Sequence, residues 1–103
     1  MNEPMTRVRI EVLVDGPLAP KLAQLAREAG ITGHTLIRTV SGEGRTGRWK
    51  EDLVSGATAK MIFLAVANRE RTDRFVELVR PLLDSHGLLL LLSEVEVIRG
   101  ERF

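Results

Sequence analysis

A chain of 103 residues is the size of one domain and long enough to bury a core without staples. Hydrophobic residues at 44% and charged residues at 28% exclude a disordered chain. The lack of cysteine excludes disulfides, thiolate metal sites and a Cys nucleophile, and a formal net charge of +1 gives no nucleic-acid footprint.

Residues 1–5 have no apolar leader core, and the longest apolar run, Leu88–Leu92, is far too short to span a bilayer. A cytoplasmic location is therefore expected. From residue 7 to 14 apolar and polar residues alternate. Val8, Ile10, Val12 and Val14 share one face, and Arg7, Arg9 and Glu11 the other, which predicts strand 1. Asp15-Gly16-Pro17 breaks it. A helix to Ala29 follows, with Leu18, Leu22, Leu25, Ala26 and Ala29 at helical spacing and Gly30 in the position of a C′ glycine.

Strand 2 is predicted over Thr35–Val40. Residues 41–57 then lose all periodicity and read as a long structureless loop with four glycines, Gly42, Gly44, Gly47 and Gly56. Strand 3 is predicted over Thr58–Val66. Asn68 can cap a second helix, Arg69 to about Ser85, which buries Phe75, Leu78, Val79, Leu82 and Leu83. Pro81 should kink or tighten its last turn. Gly87 ends it, and Leu88–Ile98 is strand 4. The order β-α-β-β-α-β predicts an α+β, ferredoxin-like sandwich occupying residues 1–103 as one domain. Strand 3 is apolar on both faces and strand 4 opens with five leucines. The helices cover only one face, so a second subunit is the simplest cover for the other, the alternative being a sheet closed by the long loop itself.

Gly42-Glu43-Gly44-Arg45-Thr46-Gly47 matches G-x-G-x-x-G. Only Arg48 to Val54 separate it from Ser55-Gly56, too few for the crossover helix of a dinucleotide fold. A P-loop fails as well, because Arg48 stands for the lysine and Trp49 for the magnesium-binding hydroxyl. The surviving reading is a Gly-rich backbone that, with Arg45 and Arg48, can present amides and guanidinium groups to an anion; the bland alternative is a solvated loop. Trp49, between Arg48 and Lys50, suggests a protein contact through Arg48, Trp49 and Lys50, against the alternative of folding back on the sheet. His34 and His86 stand apart with no cysteine, so no metal site is expected, and each reads as solvated or backbone-bonded. No serine lies in a nucleophile elbow, Glu94 and Glu96 read as the wet face of strand 4, and no catalytic constellation emerges.

These residues resemble the PII signalling family. Gly30-Ile31-Thr32-Gly33-His34-Thr35 is similar to the family's turn into strand 2, Gly42-Glu43-Gly44-Arg45 to its opening of the long T-loop, and Glu96-Val97-Ile98-Arg99 to its last strand. The loop is short and has no tyrosine, and the B-loop is reduced to Asp84-Ser85-His86-Gly87. In this the chain is more similar to carbon-related PII-like proteins of the SbtB and carboxysome-associated type. The resemblance implies a homotrimer with an adenine nucleotide (ADP, AMP, ATP or cyclic AMP), with bicarbonate a further candidate, in each cleft between subunits. It implies a T-loop, about 41–57, that changes shape with the ligand and signals to a protein target, such as a membrane transporter or carbon-fixation protein, in nitrogen or carbon regulation. Carried over by position, Gly33, His34 and Thr35 meet the base, Gly44, Arg45 and Thr46 lie at the phosphate end, Gly87 lines the B-loop side, and Arg99 and Arg102 reach the phosphates. The competing readings are a CutA-like trimeric divalent-metal protein, an acylphosphatase-like hydrolase and an RNA-binding sheet. Sparse histidines, a missing phosphate-cradling loop at Asp15-Gly16-Pro17 and 4% aromatic residues count against them in turn.

Overall fold

The computed structural model describes residues 3–44, 47–50, 60–99, 101 and 103. The elements are β1 (Pro4–Asp15), a 3-10 turn (Gly16–Leu18), α1 (Ala19–Glu28), β2 (Thr35–Arg38), β3 (Ser41–Gly44), β4 (Gly47–Lys50), β5 (Lys60–Ala67), α2 (Arg69–Ser85) and β6 (Leu89–Ile98). Four strands form one antiparallel sheet in the order β2-β5-β1-β6, and β3 and β4 form a separate two-stranded sheet. The first sheet, with its two helices, is the ferredoxin-like arrangement expected from the element order.

The alternation in β1 sets the core. Val8, Ile10, Val12 and Val14 face the helices and are buried, as are Phe63, Ala65 and Ala67 of β5 beside them. Leu22, Leu25, Ala26 and Ala29 from the α1 side, with Phe75 and Val79 of α2, close this layer. Leu18, Leu78, Leu82 and Leu83, expected in the core, pack at its margin.

Both helices end the same way. After α1, Gly30 takes φ +85°, Gly30 N–H donates to the Arg27 carbonyl at 3.0 Å, and Ile31 N–H donates to that of Ala26 at 2.9 Å. After α2, Gly87 takes φ +61° and Leu88 N–H donates to the Leu83 carbonyl at 3.1 Å. These are Schellman endings, which need a residue tolerant of the left-handed region. At the start of α2 the Asn68 side chain accepts from Arg71 N–H at 2.9 Å, the expected cap.

Several boundaries differ from the sequence reading. β1 starts at Pro4, because residues 4–7 pair with Val95–Ile98 of β6 as a ribbon that runs past the end of β5. β2 stops at Arg38 rather than Val40: Thr39 instead donates its amide and its hydroxyl to the Lys60 carbonyl, at 3.3 and 2.7 Å. Residues 58 and 59 of the expected strand 3 lie outside the described residues, and β5 reaches Ala67. The bounds of α2, by contrast, are the expected ones: it runs through Pro81 to Ser85. The largest correction concerns residues 41–57: Ser41–Gly44 and Gly47–Lys50 pair as an antiparallel hairpin, with Glu43 opposite Arg48. Their side chains bond at 2.9 Å. Glycines at alternate positions hid the strand period, since they carry no side chain to show it.

Candidate functional site

Gly33 and His34 lead into β2, and Thr35 is its first residue, opposite Leu64 of β5. The whole stretch Thr32–Thr35 is exposed. A Cβ built at Gly33 meets nothing within 4 Å, so an approaching group has open access to that backbone. His34 is not simply solvated, as its isolation in sequence suggested. Its ring stacks on Phe63 at a centroid distance of 5.0 Å, and Phe63 stacks on Phe75 at 5.8 Å. An aromatic column thus runs from the surface into the core and fixes the segment beside Gly33. No spacing in the sequence signals that contact, because the three rings come from three separate elements.

The excursion between β2 and β5 has a tied base. Lys60 is the first residue of β5 and pairs with Asp15, the last of β1; its ammonium donates to the Asp15 carboxylate at 2.7 Å. With the two Thr39 bonds to the Lys60 carbonyl, β1, β2 and β5 are joined where the chain leaves the sheet. The hairpin β3–β4 lies beyond this base. Gly44 pairs with Gly47, which takes φ +130°. Arg45 and Thr46 fall between the strands and lie outside the described residues. Arg48, Trp49 and Lys50 are on β4; Arg48 is engaged by Glu43, so it is a member of the hairpin rather than a loose loop cation.

Gly87 and Arg99 flank β6, the other edge of the main sheet. Gly87 has open space around its Cβ position. Arg99 takes φ +69°, the only non-glycine residue with positive φ among those described. Such backbone is uncommon for a long side chain and costs energy. Arg102 lies outside the described residues. The sheet order therefore separates the candidate residues: Gly33, His34 and Thr35 stand at the β2 edge, and Gly87 and Arg99 at opposite ends of the β6 edge. Three strand spacings, about 14 Å, lie between the edges. One chain does not bring the two groups together.

The sheet face away from the helices is apolar over much of its area. Leu13 of β1, Ile62 of β5, and Leu89 and Leu91 of β6 line a shallow depression there with Glu11, about 140 Å³ in volume. Leu89 and Leu91 are each 51% exposed, and Ile37 of β2 adds to the same face. Among the described residues no group of three or more His, Cys, Asp or Glu could hold a metal ion. No described helix is long and apolar enough to cross a membrane.

Residues 7–102 match the family model for nitrogen regulatory protein P-II. No curated protein matches the sequence. Among solved structures, CPII from Thiomonas intermedia K12, a nitrogen regulatory PII-like protein bound to ADP, AMP and bicarbonate, superposes with a TM-score of 0.91 at 20% identity. That match covers 100% of this chain and 98% of CPII. A PII-like signalling protein of Thermus thermophilus gives a TM-score of 0.84 at 17% identity over 98% of each chain. The Bacillus subtilis GlnK–ATP complex gives 0.62 at 15% identity, covering 87% of this chain and 82% of that one. At these identities the structures establish a shared fold, and the sequence match establishes the lineage: the chain belongs to the nitrogen regulatory protein P-II family.

Proposed function

We propose that this protein is a PII-like regulator that binds an adenine nucleotide, with bicarbonate as a second ligand, in clefts between the subunits of a homotrimer. It acts as a single-domain sensor rather than an enzyme, and reports its ligand to a protein target through the T-loop. The observation that carries this reading is the division of the candidate site between opposite sheet edges. A nucleotide touching both Gly33–Thr35 and the Gly87 or Arg99 end of β6 needs the β2 edge of one copy beside the β6 edge of another. The open apolar face supplies a surface on which copies can associate. CPII, which shares the fold, was crystallised with ADP, AMP and bicarbonate, and that ligand set is the first to try.

The residues suit the ligand chemically. Exposed, unshielded backbone at Gly33 can hydrogen-bond a purine edge, and Arg45, Arg99 and Arg102 supply guanidinium donors for phosphate oxygens. Gly44 and Thr46 flank Arg45 at the phosphate end, and Arg48, Trp49 and Lys50 on β4 are the residues offered to the target. A guanidinium–phosphate contact is worth about 1.5–3 kcal/mol. Titration calorimetry with ADP, AMP, ATP and cyclic AMP, each with and without bicarbonate, tests the proposal. Arg45→Ala and Arg99→Ala are each expected to weaken the tightest ligand about 10-fold or more, with the assembly mass unchanged. Unchanged affinity in both variants would place the phosphate site elsewhere.

A further inference from the structure

The turn that feeds the base-contact segment is held from outside by α2. Its Schellman bonds use the carbonyls of Arg27 and Ala26, and Ala29 N–H uses that of Leu25. The Ala29 carbonyl lies at the negative end of the α1 dipole. It accepts from Arg74 Nη1 of α2 at 3.5 Å, the outer limit of such a contact. Arg74 is itself held by Glu70, one helical turn earlier, through Nη2 at 2.9 Å. Beside it the Arg71 side chain lies across Gly30: a Cβ at that glycine would meet Arg71 Nε at 3.6 Å. The α2 residues are in turn registered by the Asn68 cap, which binds Arg71 N–H.

We infer that Arg74, steadied by Glu70 and flanked by Arg71, is a positioning residue that clasps the Ala29–Gly33 turn and so sets the placement of Gly33–Thr35. This rests on the nucleotide-binding reading above. The physical need is local. Gly30 sits at φ +85° and can rotate where other residues cannot. Ile31 is buried, while Thr32 and Gly33 are exposed and Gly33 has no close neighbour. Downstream, His34 is pinned on Phe63 and Thr35 by pairing with Leu64. The two exposed residues are therefore a short bridge anchored at His34 on one side and by Ile31 and the α2 clasp on the other. Losing the clasp leaves the Gly30 rotation less restrained, and the backbone groups offered to a base lose their fixed direction. The phosphate end of the site, carried by Arg45 and Arg99, is untouched.

The test uses the full chain with Arg74→Met, Arg71→Met and Arg74→Lys. Methionine keeps the stem and removes the donors; lysine returns a charged donor. The first readout is amide hydrogen exchange without nucleotide. Arg74→Met is expected to speed exchange at Ala29, Gly30 and Ile31, whose N–H groups make the bonds that close the turn, by about 2- to 10-fold, the worth of one hydrogen bond, and to leave the amides of Val12 and Phe75 alone. The second readout is calorimetry with ADP and with inorganic pyrophosphate. ADP should weaken by about the same factor, pyrophosphate should not change, and Arg74→Lys should recover most of the loss. Unchanged exchange at the three amides in both methionine variants overturns the clasp. Equal weakening of ADP and pyrophosphate, or ADP affinity unmoved while exchange quickens, overturns its role in base placement. A wild-type protein that binds no ADP overturns the nucleotide reading, and the exchange data then decide the clasp by themselves.

Discussion

The two faces of the four-stranded sheet are built from similar residues and meet different surroundings. On the helix side, Val12 of β1 and Phe63 of β5 face each other fully buried. One residue along each strand, Leu13 and Ile62 face each other on the open side and are only half-buried, and Leu89 and Leu91 beside them are 51% exposed. Strand geometry alone produces this split, since successive side chains point to opposite faces. What differs is the cover: α1 and α2 lie over one face, and nothing among the described residues of a single chain lies over the other. The helix-side apolar residues stabilise one chain, whereas the open-side residues gain most of their hydrophobic free energy only when another surface arrives.

The strongest way to separate the faces is Phe63→Ala. Phe63 is fully buried and stacks on both His34 and Phe75. Removing the ring leaves a cavity and should cost about 3–5 kcal/mol, a large share of the stability of a domain this size. Urea denaturation of the variant is expected to show a much lower midpoint with a similar slope. A loss below about 1 kcal/mol would mean that the helix-side core can collapse around the gap.

Most of this architecture was legible in the sequence, for reasons that particular residues show. The Val8-Ile10-Val12-Val14 alternation, the Gly30 and Gly87 helix ends and the Asn68 cap are local signals that the folded chain uses directly. The double-sided character of β5 was visible too, because Ile62, Leu64 and Val66 interleave with Phe63, Ala65 and Ala67. The β3–β4 hairpin was not, because Gly42, Gly44 and Gly47 erase the alternation that marks a strand. The ribbon formed by residues 4–7 was missed for another reason: Pro4, Met5 and Thr6 have no strong pattern and become strand only through pairing with β6. At the candidate site, the motif positions could be named, but the His34–Phe63 stack and the Arg74–Ala29 contact join residues distant in sequence and needed the fold.

A second perturbation should act on the other face alone. Leu89→Gln with Leu91→Gln keeps the side chains long but removes apolar cover. Both positions are already half in water, so each has about half the full burial value of a leucine left to gain, roughly 1 kcal/mol. The double variant is expected to keep the wild-type circular dichroism and to weaken self-association by about 2 kcal/mol per copy, or roughly 30-fold. Light scattering coupled to size exclusion checks it, with a shift toward the 11.5 kDa mass of one chain as the concentration falls. A wild-type protein that already runs at that mass at micromolar concentration would remove the case for a covered outer face, and the cleft reading with it.

The smallest expected effect is the most discriminating, because its size depends on whether the outer face is covered. Arg9 Nε and Glu11 Oε1 lie 3.0 Å apart on that face, beside the leucines. Glu11 stands opposite Leu91, so a carboxylate at position 91 would repel it directly; glutamine at 89 and 91 avoids that coupling. In a single chain the pair is partly exposed, screened by salt and worth about 0.2–1 kcal/mol. Glu11→Gln in the Leu89→Gln, Leu91→Gln background should therefore change stability by less than about 1 kcal/mol, and less again in high salt. In the wild-type background, association would strip water from Arg9 and Glu11 together. Removing Glu11 would then leave the Arg9 charge buried without its partner, at a cost of about 3 kcal/mol or more. Denaturant titrations of both backgrounds at matched chain concentration give the two numbers. A larger loss in the associating background, growing with protein concentration, places Glu11 inside the contact between copies. An equal, small loss in both leaves Arg9 and Glu11 in water and confines the contact to the leucine end of the sheet.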